Sequence, residues 1–117
     1  MVIVGSRHRS QPPPPAIVWR SLVDPHAPGA RPWLDLRPGE IEPTVIEAAE
    51  PHLVVWSTLW PDRPDDRIRF DLSPHQSDTM LTWTLLSPEM PDDATVGRLR
   101  HRLNFLINAS LRHSYGQ

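Results

Sequence analysis

The stretch that decides the fold is RIRFDLSPHQSDTMLTWTLL, residues 67–86, in which two alternating runs flank a polar segment. Apolar residues alternate with charged ones in the run 67–72, and with threonines in the run 79–86. The apolar positions are Ile68, Phe70, Leu72, Leu81, Trp83 and Leu85. A period of two is that of a β-strand with one buried and one solvated face. The stretch therefore predicts two antiparallel strands joined by a turn at 73–78.

Upstream of this pair, the sequence predicts further strands. LVVWSTLW, residues 53–60, is rich in strand-forming residues, and a weaker strand is expected over 40–48, where Pro43 indicates an edge or a bulge. The segment 1–9 is either a short first strand or a loose end. Because short turns separate the central runs, we expect an antiparallel meander.

Downstream, apolar residues recur at helical spacing from residue 93 almost to the end of the chain. They are Val96, Leu99, Leu103, Leu106, Ile107 and Leu111. About 22 helical residues would span roughly 33 Å, enough to cross the meander. A shorter helix is expected over 15–23, ended by Asp24-Pro25. The pattern predicts an α+β fold, with Leu99, Leu103 and Leu106 packed against the face that carries Phe70 and Trp83.

This order of elements resembles the START-like superfamily, also called the SRPBCC or polyketide cyclase/dehydrase-like superfamily, with its helix-grip fold. The resemblance lies in PPPPAIVWRSLVDP (12–25), EPHLVVWSTLW (50–60), RIRFDLSPHQSDTMLTWTLL (67–86) and ATVGRLRHRLNFLINASLRHSYGQ (94–117). It implies one START-like domain over 1–117. The chain is shorter than usual for the family, and 35–40 leaves too little room for an extra strand. One of the family's strands is therefore expected to be missing or very short.

Composition narrows the classes of function. The net charge of −2 argues against a general nucleic-acid binder, and the lack of cysteine excludes disulfides and thiol catalysis. No apolar segment is long enough for a membrane span. The expected location is the cytoplasm.

Catalytic and metal-binding motifs are not evident. No two of the six histidines stand two or four residues apart, so neither a metal site nor a cofactor is expected. The charged loop with Asp62, Asp65 and Asp66 can be interpreted as an acid/base pair or as a solvated hairpin tip with surface ion pairs. We favour the solvated tip, and a non-enzymatic role.

One candidate ligand site follows from the predicted interior face. Its residues are Trp56, Phe70, Trp83, Leu103 and Ile107. They would line a pocket for an apolar or aromatic small molecule, or they would fill the core, and the pattern leaves both interpretations open.

A second candidate site lies on the outer face of the last helix, where Phe105 is placed beside Arg98, Arg102 and Arg112. An aromatic side chain among arginines is typical of an interface with a second copy or a partner protein. Three functions follow: a small-molecule binding module, a protein-interaction or co-chaperone-like module, and, from the resemblance alone, a cyclase or dehydratase.

Overall fold

A five-stranded antiparallel sheet and a C-terminal helix dominate the computed structural model, which describes residues 1–116. The strands follow the order β1-β5-β4-β3-β2 across the sheet. Their bounds are β1 (Val2–Gln11), β2 (Val45–Ala49), β3 (Leu53–Trp56), β4 (Arg67–His75) and β5 (Asp78–Ser87).

The central pair β4–β5 confirms the predicted alternation. Phe70 lies opposite Trp83, and Leu72 lies opposite Leu81, so their side chains share one face. All four are buried, whereas Arg69, on the other face of β4, is exposed. The sequence pattern placed both strands on the correct face.

Strand β1 pairs with β5 along its whole length and is interrupted by one bulge between Ile3 and Gly5. The bulge leaves Val4 and Gly5 both buried. Beyond it, Arg7 lies opposite Trp83 and Arg9 opposite Leu81. Both arginines are therefore on the sheet face that the helices cover.

Each of the two longer helices begins at a residue that suits a helix N-terminus. Helix α1 (Pro15–Val23) begins with proline at its first position, which costs no hydrogen bond there. Helix α2 (Asp93–Phe105) is capped by Asp92, whose carboxylate accepts a 2.8 Å hydrogen bond from the Thr95 amide. Hydrogen bonding with the Thr95 side chain, together with this bond from the Thr95 amide, lowers the pKa of Asp92.

The C-terminal helix differs from the uniform α-helix expected. A π-helical segment, Leu106–Leu111, follows α2, and the one-turn helix α3 (Arg112–Ser114) completes it. Residues five apart stack in a π turn, which places Leu106 and Leu111 on the same buried side. The predicted apolar stripe is nevertheless confirmed, since Leu99, Leu103 and Ile107 are also buried.

The core between sheet and helices is built around aromatic side chains. Trp33, from the segment after α1, stacks on Trp56 with ring centroids 5.9 Å apart, and Trp56 meets the edge of Phe70 at 4.7 Å. The Trp56 indole donates a 2.9 Å hydrogen bond to the Leu22 carbonyl. Such pairs add to the free energy gained by burial and fix α1 against the sheet.

Several strand limits differ from the expectation, and β4 continues to His75 through half of the predicted turn at 73–78. β2 begins at Val45 rather than at residue 40, and β3 ends at Trp56 rather than at residue 60. Within the described residues, 24–44 contain no strand, which agrees with the expected shortening. None of the described helices is both long and apolar enough to cross a membrane.

Candidate functional site

The five residues predicted to face a ligand are all in the core. Their exposure is at most 1%, and they belong to one apolar cluster. Of the five, Trp83 also lines a surface cleft. The structure thus brings the set together as packed core, and contact of these side chains with a ligand stays a prediction.

A cleft opens beside them, between the 37–40 loop and the side of α2 that faces it. We call it the loop-side cleft. It has a volume of about 460 Å³. Its lining residues are Arg37, Pro38, Gly39, Glu40, Trp60, Asp62, Arg98, Leu99, His101 and Arg102. Trp60 and Leu99 supply an apolar floor, because both are buried in the core cluster.

A buried ion pair joins the loop to the helix in this cleft. The Arg102 guanidinium lies 2.8 Å from the Glu40 carboxylate, and both side chains are only 7% exposed. Arg102 also donates a 2.5 Å hydrogen bond to the Asp35 carbonyl. Removing one member would leave the other charge buried without a partner, so the pair fixes the 35–40 segment against α2.

The environment of Glu40 decides what this carboxylate can do chemically. Burial alone would raise its pKa, but hydrogen bonds from Arg102, from the Arg37 amide and from the Trp60 indole together hold that pKa below its usual value. The group is therefore a carboxylate at neutral pH with its oxygens already occupied. It is suited to positioning the cleft and unsuited to donating a proton to a substrate.

The predicted partner surface is only partly formed. Phe105 is 45% exposed, and the Arg37 guanidinium lies over its ring at 5.2 Å. Arg98 is also exposed. Arg102, however, is turned inward to Glu40, so its placement on an outer face was wrong. Arg112 donates a hydrogen bond to the Ser10 carbonyl and so ties the helix end to β1.

The acidic loop before β4 is only in part the solvated tip that we expected, since Asp62 and Asp65 are exposed but Asp66 is buried. Asp66 is 1% exposed and lies 2.6 Å from Arg63. The buried Ser87 hydroxyl donates a 2.7 Å hydrogen bond to the same carboxylate. This cluster closes the start of β4 onto the end of β5, and its contacts give it a structural role.

Sequence reasoning missed Glu40 and Trp60 as parts of a site. Glu40 was assigned to a strand, and its partner Arg102 is 62 residues away. Trp60 was placed at the end of a strand, but it lies outside any strand, and its amide donates to the Thr58 hydroxyl. No local pattern marks a charge pair of such long separation.

Comparison with known proteins identifies the fold. No family model and no curated protein sequence matches the chain. The crystal structure of CalU16 from Micromonospora echinospora is similar, with a TM-score of 0.64 and 16% identity over 88% of this chain and 70% of that one. The solution structure of the Aha1 dimer from Colwellia psychrerythraea gives 0.65 and 14% over 94% of both chains.

A further similar structure is that of Mll3558 from Rhizobium loti, with a TM-score of 0.60 and 19% identity over 94% of both chains. At these identities the likeness shows the fold alone. The chain has an α+β helix-grip fold, and its sheet and covering helix are those that the sequence pattern predicted.

Proposed function

We propose that the chain is a binding module of the START-like superfamily, with residues 1–117 acting as one domain, and that it holds an apolar or aromatic small molecule. The observation that carries this proposal is the loop-side cleft. Its volume of about 460 Å³ suits a small ligand, and it combines an apolar floor with a few polar groups. Trp60 and Leu99 would contact the apolar part of the ligand.

The charged groups of the cleft would orient the ligand. Arg102 is held by Glu40 and so presents a fixed wall, whereas Arg98 and His101 are exposed at the rim. The interior residues Trp56, Phe70 and Leu103 would support the floor from below, because they are packed in the same core as Leu99. A ligand seated there would bury its apolar part against the floor while its polar end stayed near the rim.

Native mass spectrometry of freshly purified protein is the first test, since it reports a retained small molecule and the oligomeric state together. The second test is titration with the neutral fluorophore N-phenylnaphthylamine. We expect saturable fluorescence enhancement that a bulky side chain at the rim prevents. Arg98→Trp should weaken the affinity by about tenfold or more, equivalent to at least 1.4 kcal/mol.

Ala94→Trp is the matched control, because Ala94 is exposed on the same helix and lies outside the cleft. It should leave the affinity for the fluorophore unchanged. Equal affinity in both variants would show that the ligand does not bind in this cleft. No retained molecule and no saturable binding in the wild-type protein would end the proposal.

A second candidate function is supported by Phe105, which is exposed beside Arg37. We propose that this surface, with Arg98 and Arg112 on the same helix, binds a second copy or a partner protein. Phe105→Glu should then convert an assembly into a monomer without lowering the free energy of unfolding. Met90→Glu changes another exposed apolar residue and should leave the assembly intact. A wild-type chain that is monomeric in native mass spectrometry would contradict self-association.

A further inference from the structure

A second cleft lies on the opposite side of α2, between that helix and β1. We call it the strand-side cleft. It has a volume of about 280 Å³. Its lining residues are Arg7, Trp83, Gly97, Arg100, His101 and Asn104. At Gly97 the cleft is open to solvent, because a β-carbon there would contact no atom outside the helix's own backbone.

The strand-side cleft carries positive charge without a matching carboxylate. In the part of the chain that the structure describes, the arginines that pair with a carboxylate within 4.0 Å are Arg63, Arg69 and Arg102. Arg7 and Arg100 are not among them, and both are exposed.

The floor of this cleft contains a buried donor with no acceptor. Trp83 is 1% exposed, and its indole Nε1–H has no hydrogen-bond partner among the described residues. Buried donors are nearly always paired, because leaving one unpaired has a free-energy cost. In the same core the Trp56 indole is paired with a carbonyl and the Trp33 indole is also unpaired, but of the two unpaired indoles only that of Trp83 lies at this cleft.

The position of Arg100 is set by a glycine on the neighbouring strand. A β-carbon at Gly5 would lie 2.6 Å from Cγ and 2.9 Å from Cδ of Arg100, too close for either atom to stay. Gly5 has no need of an unusual backbone angle, since its φ is not positive. The missing side chain at residue 5 therefore lets the stem of Arg100 lie flat on β1.

From these observations we propose that the strand-side cleft binds the oxyanion of a small molecule, a phosphate or a carboxylate group, between Arg7, Arg100 and the Trp83 indole N–H. Guanidinium groups form short, strong hydrogen bonds to both kinds of oxyanion. Arg7 and Arg100 are surface side chains, so the oxyanion reaches the indole through side-chain movement, with strand and helix in place. The site uses different residues from those that floor the loop-side cleft.

The test is a ¹H–¹⁵N NMR titration with inorganic phosphate and, in a separate arm, with acetate, both at constant ionic strength against chloride. We expect a saturable downfield shift of the Trp83 indole resonance in at least one arm. A response to phosphate assigns the oxyanion to phosphorylated ligands, and a response to acetate assigns it to carboxylates. No saturable shift of this resonance in either arm would overturn the proposal.

Three variants distinguish a specific anion site from nonspecific attraction by nearby positive charges. Arg7→Gln and Arg100→Gln should each weaken the affinity by about tenfold, as expected for a lost charged hydrogen bond. Gly5→Ala should also weaken it, without any change of charge, because it displaces Arg100.

Arg9→Gln is the matched control, since Arg9 is on the same strand and face as Arg7 but outside the cleft. It should change the affinity by less than about twofold. If Arg9→Gln weakens binding as much as Arg7→Gln, the shift reports a diffuse field and the proposal is wrong. Thermal unfolding of each variant confirms that it is folded, and N-phenylnaphthylamine binding, which depends on the other cleft, should be unchanged.

Discussion

The two sides of helix α2 contain the same type of charged residue and use it in opposite ways. On the loop side, Arg102 is 5% exposed and its charge is matched by Glu40. On the strand side, Arg100 is exposed and its stem lies over Gly5, with no carboxylate within ion-pair distance among the described residues. Only two positions in the sequence separate these arginines.

The contrast between Arg102 and Arg100 distinguishes a structural charge from one that is available to a ligand. A guanidinium removed from water must be paired, so the Arg102–Glu40 contact belongs to folding. A guanidinium that stays in water has no desolvation cost, and its N–H donors remain free to bind a ligand. If this distinction is correct, mutations on the two sides will affect different measurements.

The largest expected effect on stability comes from Arg102→Met, which leaves the Glu40 carboxylate buried without its cation. We expect a loss of about 3–5 kcal/mol in the free energy of unfolding, measured by urea denaturation. The double variant with Glu40→Leu should recover much of this loss, because no charge then remains buried. If Arg102→Met alone is as stable as the wild-type protein, the Arg102–Glu40 pair has no structural role and the two sides of α2 do not differ in this way.

The same pair should make stability depend on pH. The pKa of Glu40 is below its usual value of 4.5 in the folded protein, so its contribution is complete above that value and is lost as the pH falls through the lowered pKa. The free energy of unfolding should decrease on acidification to about pH 3. Other carboxylates also contribute, so the readout is the difference between wild type and Glu40→Gln. That difference should shrink at low pH, and a constant difference would contradict the assignment.

A smaller effect is expected for Trp60→Phe, which keeps the aromatic floor and removes the indole donor 3.2 Å from Glu40. Loss of one hydrogen bond to a charged group should lower the free energy of unfolding by about 1.5 kcal/mol. This variant tests the hydrogen bonding of Glu40 separately from its ion pair, because it removes one donor to Glu40 without deleting a charge. In a Glu40→Leu background the same substitution should cost less, since the acceptor is gone.

The smallest effect on stability belongs to the strand side. Arg100→Gln should change the free energy of unfolding by no more than about 0.5 kcal/mol, as for an ordinary surface substitution. The same urea denaturation measures it. A loss comparable to that of Arg102→Met would show that Arg100 also has a structural role and would weaken its assignment to an anion site.

Much of the fold could be predicted because its signals are local. The alternation in 67–86 predicted β4, β5 and the buried position of Trp83, and the apolar stripe predicted the helix that covers them. Strand β1 was uncertain from sequence, since its stability depends on pairing with β5, some 75 residues away. The π-helical segment was also missed, because nothing in the order of apolar residues distinguishes it from an α-helix.

The candidate sites could be predicted far less well. The aromatic residues of the interior face were correctly placed inside, but whether side chains leave a void depends on their packing, which periodicity does not encode. Arg102 was placed on the outer face because its partner Glu40 comes from a distant loop. The role of Gly5 follows only from the close approach of Arg100.

The extra residue at the β1 bulge has a consequence for how the protein can change. Successive side chains of a strand point to opposite faces of the sheet, and the bulge between Ile3 and Gly5 reverses this alternation for the rest of β1. If β1 paired with β5 without this bulge, Val4 would lie opposite Leu85, Arg7 and Arg9 would lie on the outside of the sheet, and Ser6 and His8 would lie beneath the helix. The bulge thus decides on which side of the sheet this pair of positive charges lies.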